Sequence, residues 1–374
     1  MMIDMFALDR QEAVMSEQLR AAIARVLDHK GFVNGPEVPK LEAALAARLG
    51  EGWHAIGCAN GTDALHLMLR AAGIGPGDGV ALPALTFVAT AEAVRLAGAV
   101  PVFVDTGPET GTLCPDSLAR AFKAAAEGSL PPLRAVLPVD LFAIPADHAR
   151  IKDLTSRHGA LHLVDAAHSY GGDDAGWQSG TLWRAAATSF YPSKALGCYG
   201  DGGAVLTRDE ALAARIRAVA NHGVMPGSAE HDLVGMNSRL DSIQAAVLLA
   251  KLDHFDAEIA ARRRNAQAFM DALGAPFGLP VIPDGAAPVW SYFAIRHPRR
   301  DALQAHLAAS GVRTVAYYRK PLHHQPAFAD AVHAPGGLGG TESFAETLLC
   351  LPVHPYLRDD ERDQIIAALR AFRG

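Results

Sequence analysis

The chain contains 374 residues, of which 50% are hydrophobic and 20% are charged, so it can bury a large core and suggests two domains. Its net charge of −6 and dispersed basic residues argue against a nucleic-acid partner. No apolar stretch reaches the roughly 20 residues of a membrane helix, and no basic segment followed by an apolar one opens the chain. We therefore expect a cytoplasmic protein that binds neither nucleic acid nor a membrane.

Four short apolar runs bounded by turn residues predict strands at 79–83, 100–105, 135–139 and 161–165. Alanine-rich stretches at 62–72, 89–97 and 115–126 predict the helices between them. Strands that are apolar throughout and alternate with helices are typical of a parallel sheet covered on both faces. The predicted fold class is therefore α/β, with a doubly wound, mostly parallel sheet whose strand ends and following loops meet at one edge.

A helical pattern from about 239 to 273 predicts a long helix that joins two domains. A short basic run inside it, Arg262-Arg263-Arg264, is interpreted as a solvated helix face. We place a large domain at residues 1–248 and a smaller C-terminal α+β domain at 249–374. Shorter elements are predicted in the second domain: a strand near 290–295 and helices near 300–310 and 359–372.

The four cysteines are scattered along the chain. They form no C-x-x-C pair and have no histidine at metal-ligand spacing, so we expect reduced thiols and no metal site. The cysteines are Cys58, Cys114, Cys198 and Cys350.

Lys194 and Asp165 are the candidates for catalysis. Lys194 ends the segment Ser-Phe-Tyr-Pro-Ser-Lys before a glycine-rich turn, and Asp165 ends a predicted buried strand, where an unpaired carboxylate would be costly. Pyridoxal 5′-phosphate (PLP) needs a lysine amine that forms a Schiff base with its aldehyde, and an acidic group that keeps its pyridine nitrogen protonated. The pair therefore predicts a PLP enzyme. The alternative is a solvated surface lysine and a loop aspartate.

A second candidate site is the segment Asn-Gly-Thr-Asp at 60–63, which directly precedes a predicted helix. Its backbone N–H groups and the Thr62 hydroxyl would face an anion such as the cofactor phosphate, and Ser189 offers a second hydroxyl. Plain capping of the helix is the alternative. Phe87, after a predicted strand, could stack on the cofactor ring or pack in the core.

Taken in order, these segments resemble the DegT-type sugar aminotransferases, PLP enzymes of the aspartate aminotransferase fold (fold type I) that aminate keto sugars carried on nucleotides. The resemblance covers nearly the whole chain. Its segments are Gly-Pro-Glu-Val at 35–38, Ala-Asn-Gly-Thr-Asp-Ala-Leu at 59–65, Gly-Pro-Gly-Asp at 75–78, Asp-Ala-Ala-His at 165–168, the block around Lys194, Asn-Ser-Arg-Leu-Asp at 237–241, Pro-Leu-His-His-Gln-Pro at 321–326 and Leu-Pro-Val-His-Pro at 351–355.

The resemblance implies roles for the matching residues. Lys194 would carry the cofactor and Asp165 would bind its ring nitrogen. Asn237 would reach the phosphate of the neighbouring subunit, which implies an obligate homodimer with shared sites. His168 would hydrogen-bond near the ring, or else is a structural histidine. The residues implied to hold the phosphate are Gly61, Thr62 and Ser189.

Within the family, the chain looks most like the branch acting on UDP-2-acetamido-2-deoxy-3-keto-glucuronate. Arg239 would pair bidentately with the uronate carboxylate, or else forms an ion pair at an interface or helix start. Tyr317, Tyr318 and His323 are further candidates for contact with the sugar. The chain departs from the branch where Tyr317-Tyr318-Arg319 replaces a common His-Tyr-Pro and Ser291 replaces a common histidine, which leaves the keto position and the charge of the sugar open.

The resemblance implies a transamination in which L-glutamate donates its amino group to a UDP-linked 3-keto-2-acetamido sugar, for surface polysaccharides such as lipopolysaccharide. One alternative is the same chemistry on another dTDP-, GDP- or UDP-linked 3- or 4-keto-deoxysugar. A second is a PLP dehydratase, desulfurase or aldolase of the same fold. A third is a regulator that binds PLP or a nucleotide sugar without turnover. Lys194 argues against the sugar 3-dehydratases of the family, in which histidine replaces the lysine.

Overall fold

The computed structural model describes residues 2–172 and 182–373. Its helices are α1 (Leu8–His29), α2 (Glu37–Ala47), α3 (Gly61–Ala71), α4 (Val88–Leu96), α5 (Pro115–Ala126), α6 (His148–His158), α7 (Glu210–Ala220), α8 (Ser242–Ala272), α9 (Arg300–Ala309), α10 (Gly339–Thr347) and α11 (Asp359–Ala371). Its strands are β1 (His54–Cys58), β2 (Gly79–Pro83), β3 (Val100–Val104), β4 (Leu133–Val136), β5 (Leu161–Asp165), β6 (Ala185–Ser189), β7 (Gly203–Thr207), β8 (Phe293–Arg296), β9 (Val332–His333) and β10 (Leu348–Leu351).

The large sheet has the strand order β1-β7-β6-β5-β4-β2-β3-β9. β7 runs antiparallel to both of its neighbours, whereas the other paired strands of this sheet run parallel. Strands such as β2 and β7 are buried along their whole length, as expected of a sheet covered on both faces. The predicted α/β class with a mostly parallel sheet is confirmed.

Sequence patterns located some elements well and missed others. The predicted ranges of β2, β5 and α5 coincide with the structure, whereas α1, α2, β1, β6 and β7 were not predicted. β6 reads Ala-Ala-Ala-Thr-Ser, a composition with weak preference for strands, so its conformation depends on pairing with β5 and β7. Such pairing joins residues far apart in sequence and leaves little local signal.

The C-terminal elements enclose a core of their own. β8 and β10 form a two-stranded antiparallel sheet, and helix side chains pack with it, among them Phe269 from α8, Leu303 from α9 and Leu369 from α11. α8 is a continuous helix of 31 residues that crosses the proposed domain boundary at 248/249, so that boundary stays a prediction. Of the helices described, none combines the length and apolar character that crossing a membrane requires.

The interpretation of the arginine run as a solvated helix face is wrong for two of its three residues. Arg262 is buried, and its Nη1 donates a hydrogen bond to the Trp290 carbonyl oxygen at 3.2 Å. Arg263 donates to the carbonyl oxygens of Ala287 and Pro288, and Arg264 alone is exposed. α8 packs against the irregular segment 287–290, whose backbone carbonyl groups require hydrogen-bond donors. The local sequence around the arginines does not reveal that contact.

Candidate active site

A cavity of about 690 Å³ opens where β5 ends and α3 begins. It brings together nine of the residues that the sequence singled out. These are Gly61, Thr62, Phe87, Asp165, His168, Ser189, Lys194, Tyr317 and Tyr318. Parallel strands place their carboxyl ends at one edge of a sheet, and ligand sites of α/β folds lie at that edge.

Asp165 is a buried carboxylate without a cationic partner at ion-pair distance in the part of the chain that the structure describes. Its Oδ2 accepts a hydrogen bond from the Thr90 hydroxyl at 2.8 Å, and its Oδ1 accepts one from the Ala167 N–H at 3.1 Å. Burial raises the pKa of Asp165, while these two hydrogen bonds oppose the rise. A cation placed against this carboxylate would relieve the cost of its burial.

Thr90 is a site residue that the sequence analysis missed. It lies in the first turn of α4, and its hydroxyl also lies 2.9 Å from the hydroxyl of Thr86. The two threonines stand four residues apart directly after β2, a spacing that puts both hydroxyls on one side of a helix start. That spacing was the available signal, but it does not indicate which carboxylate the hydroxyls reach.

Lys194 sits in a turn whose backbone is held by hydrogen bonds. Its N–H donates to the Tyr191 carbonyl oxygen at 2.8 Å. Burial lowers the pKa of the Lys194 amine to about 8, an effect that the nearby Asp165 charge partly opposes. A second lysine missed by the sequence analysis, Lys251, is buried behind the turn and donates from Nζ to the Gly197 carbonyl oxygen at 2.7 Å.

Chemical labelling of the Lys194 amine is expected to have a midpoint near pH 8 in the cofactor-free protein. Acylating reagents attack only the neutral amine. An unperturbed lysine has a pKa of roughly 10.4, and burial lowers the pKa so that the neutral form is reached at a lower pH. Labelling with acetic anhydride over a pH series, followed by mass spectrometry of the Lys194 peptide, measures the midpoint. A midpoint above pH 10 would contradict this environment for the amine.

The N terminus of α3 also lines the cavity. Asn60 has extended backbone angles, and its side chain accepts a hydrogen bond from the Asp63 N–H at 2.8 Å, so it is the N-cap of the helix. The N–H groups of Gly61 and Thr62 precede the first intrahelical donor, which leaves them free to bind an anion. The capping alternative and the anion-site prediction are therefore compatible.

Two glycines allow β6, β7 and the start of α3 to approach closely. A Cβ atom on Gly61 would lie 2.6 Å from the Ser189 Cβ, and one on Gly203 would lie 2.5 Å from the Asn60 carbonyl oxygen. Side chains at these positions would push the helix start away from the Ser189 hydroxyl. Glycine is required here for space, since neither residue has a positive φ.

Gly203→Ala is expected to destabilise the protein by about 1–3 kcal/mol, because the new methyl group meets backbone atoms that cannot move aside independently. Urea denaturation of the purified variant measures the free energy of unfolding. Gly274→Ala is the matched control, since a Cβ atom on Gly274 meets no atom within 4 Å. Equal stability of the two variants would show that the turn at Asn60 relaxes without cost.

His168 presents a hydrogen-bond donor to the cavity. Its Nδ1 accepts from the Phe142 N–H at 3.2 Å, so the proton of the neutral ring is on Nε2. Burial holds the pKa of His168 well below its usual value, and the imidazole therefore stays neutral. Ser291, where the sequence departs from the related branch, donates to the His168 carbonyl oxygen at 2.6 Å and so supports the same segment.

Aromatic side chains form one wall of the cavity. Phe87 is 54% exposed, so it does not pack in the core, and its ring lies 6.1 Å from the Tyr318 ring between centroids. Tyr317 packs edge-on against Tyr292, with centroids 5.2 Å apart. Burial raises the pKa of the three tyrosines, so their hydroxyl groups stay protonated and can donate to a ligand.

Three predicted site residues do not line this cavity. Asn237 is exposed. Arg239 lines a separate cavity of about 310 Å³, and its Nη1 lies 3.4 Å from the Asn221 Oδ1. His323 lies against Glu342, with its Nε2 3.3 Å from the carboxylate. Their roles toward the substrate stay predictions.

The residues around the cavity fit PLP. Lys194 offers a partly neutral amine, the buried Asp165 carboxylate suits a protonated ring nitrogen, and the N–H groups at the start of α3 suit a phosphate. The ring of Phe87 is exposed within the cavity and available for stacking. Because Gly61 and Gly203 have no Cβ atom, β6, β7 and the start of α3 can approach closely at the proposed phosphate site.

The chain matches the model of the DegT/DnrJ/EryC1/StrS aminotransferase family over residues 14–370. It is 42% identical over 370 residues to a UDP-2-acetamido-2-deoxy-3-oxo-D-glucuronate aminotransferase of Pseudomonas aeruginosa, covering 98% of this chain and 99% of the relative. It is 43% identical over 363 residues to a dTDP-3-amino-3,4,6-trideoxy-α-D-glucose transaminase of Streptomyces venezuelae, covering 95% and 93% of the two chains. The crystal structure of a DegT/DnrJ/EryC1/StrS aminotransferase from Brucella abortus superimposes with a TM-score of 0.96 at 43% identity, covering 100% of both chains.

Proposed function

The chain belongs to the DegT/DnrJ/EryC1/StrS aminotransferase family, a family of PLP-dependent enzymes, and we propose that it transfers the amino group of L-glutamate to the keto carbon of a nucleotide-linked sugar. The observation that supports this proposal most strongly is that Lys194, Asp165 and the N terminus of α3 line the same cavity. Lys194 and Asp165 are the proposed catalytic residues. A desulfurase would need a nucleophilic cysteine at this cavity, and its described lining contains none.

PLP, when bound, supplies an aldehyde that links to amines and a ring that withdraws electrons from the bond being broken. Lys194 Nζ moves the proton that leaves the Cα atom of the amino donor, and its pKa of about 8 keeps part of the amine neutral at neutral pH. Asp165 holds a proton on the ring nitrogen through its negative charge. The hydrogen bond from Thr90 keeps that carboxylate oriented toward the cavity.

Further residues of the cavity bind and orient. The N–H groups of Gly61 and Thr62 and the hydroxyl of Ser189 would hold the phosphate. His168 Nε2 would donate to an oxygen substituent of the ring, and Phe87 would stack on the ring face. The tyrosine side chains also line the cavity, and Tyr317 and Tyr318 would contact the sugar there.

For the sugar we propose a UDP-linked 3-keto-2-acetamido sugar of the glucuronate type, used for surface polysaccharides such as lipopolysaccharide. The Pseudomonas aeruginosa relative supports this choice, and both relatives have names that refer to an oxo or amino group at C3 of their own sugars. The similarity to the dTDP-sugar enzyme keeps a neutral deoxysugar as the alternative. The two sugars differ in charge, since a uronate carries a carboxylate at C6.

A carboxylate on the sugar would require a cation that one protomer does not provide. Lys194 is the only Lys or Arg among the described residues that line the cavity. We propose a homodimer in which Asn237 and Arg239 reach the neighbouring subunit's cavity, Asn237 at the phosphate and Arg239 at the uronate. The exposure of Asn237 and the position of Arg239 outside its own cavity are consistent with that role.

Amino transfer from glutamate is tested without any sugar. Holoenzyme incubated with L-glutamate should release one 2-oxoglutarate per site and lose the absorption band of lysine-bound PLP. Adding the keto sugar should then produce multiple turnovers. An unchanged spectrum would point to another amino donor, and multiple-turnover release of 2-oxoglutarate at the same rate with and without the sugar would exclude the proposed acceptor.

The sugar is identified most simply in the reverse direction, because the amino sugars are the stable partners of the reaction. Enzyme, 2-oxoglutarate and either a UDP-linked 2-acetamido-3-amino-glucuronate or a dTDP-linked 3-amino-3,4,6-trideoxyglucose are mixed, and glutamate formation is measured. We expect the uronate to react with the higher kcat/KM. A preference for the dTDP sugar would leave amino transfer intact and overturn the uronate assignment.

Arg239→Ala is expected to raise KM for the uronate sugar about 10–100-fold, because a charge-assisted bidentate contact of about 1.5–3 kcal/mol is lost. The dTDP-linked sugar, which has no carboxylate on its ring, should be affected far less. Arg239→Lys is the conservative comparison and should recover only part of the loss, since an ammonium group does not bind a carboxylate bidentately. Equal effects on both sugars would indicate a structural role for Arg239.

A further inference from the structure

Two histidines and a glutamate meet at the surface beside the cavity wall. His323 and His324 lie in a short 3-10 helix, Leu322–His324, and Glu342 lies in the first turn of α10. The Nε2 atoms of the two rings lie 3.3 and 3.4 Å from the same oxygen, Oε1 of Glu342. The ring centroids are 4.0 Å apart, and one ligand atom from each of the three residues lies within 4.8 Å of the other two.

These separations suit a shared cation better than a pair of hydrogen bonds. Hydrogen bonds between nitrogen and oxygen are most often 2.9–3.0 Å long, so both contacts to Glu342 Oε1 are longer than a usual hydrogen bond. In a tetrahedral zinc site with bonds of about 2.0–2.1 Å, neighbouring ligand atoms lie about 3.3–3.4 Å apart. Both measured nitrogen–oxygen distances have that value.

The chemistry of the three side chains also suits a metal ion. Neutral imidazole and carboxylate are common ligands of Zn²⁺. Glu342 supplies negative charge, and no arginine or lysine forms an ion pair with it among the described residues.

We propose that His323, His324 and Glu342 bind a divalent transition-metal ion, Zn²⁺ in the first instance, with water in the fourth position. Three protein ligands and one open position are sufficient for a zinc site of moderate affinity. Cysteine spacing, on which the expectation of no metal site was based, gives no indication of this cluster. The adjacent histidines were visible in the sequence, but Glu342 is 18 residues further on, and only the fold brings it to them.

The ion would join the segment that follows the tyrosine wall of the cavity to α10. The segment that carries Tyr317 and Tyr318 runs on into the 3-10 helix, and the Leu322 N–H donates to the Ala84 carbonyl oxygen at 2.9 Å. α10 is anchored separately, since the Thr341 N–H donates to the Asp105 carboxylate at 2.7 Å. A bound ion would therefore tie the tyrosine wall of the cavity to a fixed helix.

The test uses holoenzyme without an affinity tag, treated with a chelator, dialysed and titrated with ZnCl2 by isothermal titration calorimetry. One zinc ion per chain should bind, and zinc should raise Tm, because a ligand of the folded state stabilises it. His324→Ala and Glu342→Gln should each weaken binding by at least about tenfold and remove the increase in Tm. Both side chains are about half exposed, so the variants should fold normally.

His231→Ala is the matched control, because His231 is also exposed and makes one hydrogen bond, to the His222 carbonyl oxygen. This variant should bind zinc as the parent protein does. The proposal is overturned if the parent binds no zinc, or if His324→Ala and Glu342→Gln keep the parent's affinity and stoichiometry. Circular dichroism and the absorption of bound PLP verify that each variant is folded, and neither readout depends on the identity of the sugar.

Discussion

Replacing Lys194 with alanine is expected to lower the rate of multiple-turnover 2-oxoglutarate release by at least about 10³-fold, because the variant loses both the covalent link and the group that moves the proton. The buried position of the amine and its pKa of about 8 support both tasks. The rate is measured with L-glutamate and the keto sugar at saturation. Borohydride reduction followed by mass spectrometry should show PLP attached to the parent protein and none attached to the variant.

The matched comparison is Lys251→Met, since Lys251 is a buried lysine near the same turn and burial also lowers its pKa to about 8. Its amine binds the Gly197 carbonyl oxygen and does not line the cavity. We expect this variant to retain covalent PLP and to lose at most about tenfold in rate. Near-normal turnover by Lys194→Ala would remove the catalytic assignment, whatever the result for Lys251→Met.

Asp165→Asn is expected to lower kcat about 10²–10³-fold, because it replaces a negative charge at the ring nitrogen with a neutral group in a buried site. The substitution conserves volume. In the variant, the Thr90 hydroxyl can accept a hydrogen bond from the new amide group and donate its own proton to Thr86, whose hydroxyl lies 2.9 Å away. The decrease in kcat therefore reflects the lost charge more than altered packing. Steady-state rates and bound PLP are measured together, and cofactor should remain attached to Lys194.

Thr90→Val separates the charge from the hydrogen bond that supports it. The variant keeps the Asp165 carboxylate but removes the hydroxyl at 2.8 Å, which should raise the pKa of Asp165 further and reduce kcat about tenfold. The order of rates should therefore be parent, Thr90→Val and Asp165→Asn. Parent-like kcat in Asp165→Asn would show that the carboxylate has no electrostatic part in the reaction.

Local patterns were sufficient to predict the central part of the fold. The run at 161–165 is apolar except for His162 and Asp165, so the pattern itself indicated a buried strand that ends in a carboxylate. The cap at Asn60 was equally readable, because an N-cap acts on the N–H group only three residues away. Both signals depend on neighbours in sequence, and both predictions agree with the structure.

Contacts between distant elements were not readable in the same way. Thr90 and Asp165 are joined by a hydrogen bond across 75 residues, and neither local segment indicates the other. The arginine run illustrates the same limit, since Arg262 is buried against the Trp290 carbonyl 28 residues away. A charged helix face is exposed only where no other element packs against it, and packing is decided by the whole chain.

The sequence by itself determined the residue types at the strand ends, the capped start of α3 and the lysine turn, because strand burial and helix capping act over a few residues. It thereby determined that PLP chemistry is available to this chain. Tertiary structure decided that Thr90 supports Asp165, that Arg239 lies outside the cavity lined by Lys194 and that Glu342 meets two histidines. Those relations depend on how the sheet orders its strands and how the helices pack on it, which no short segment specifies.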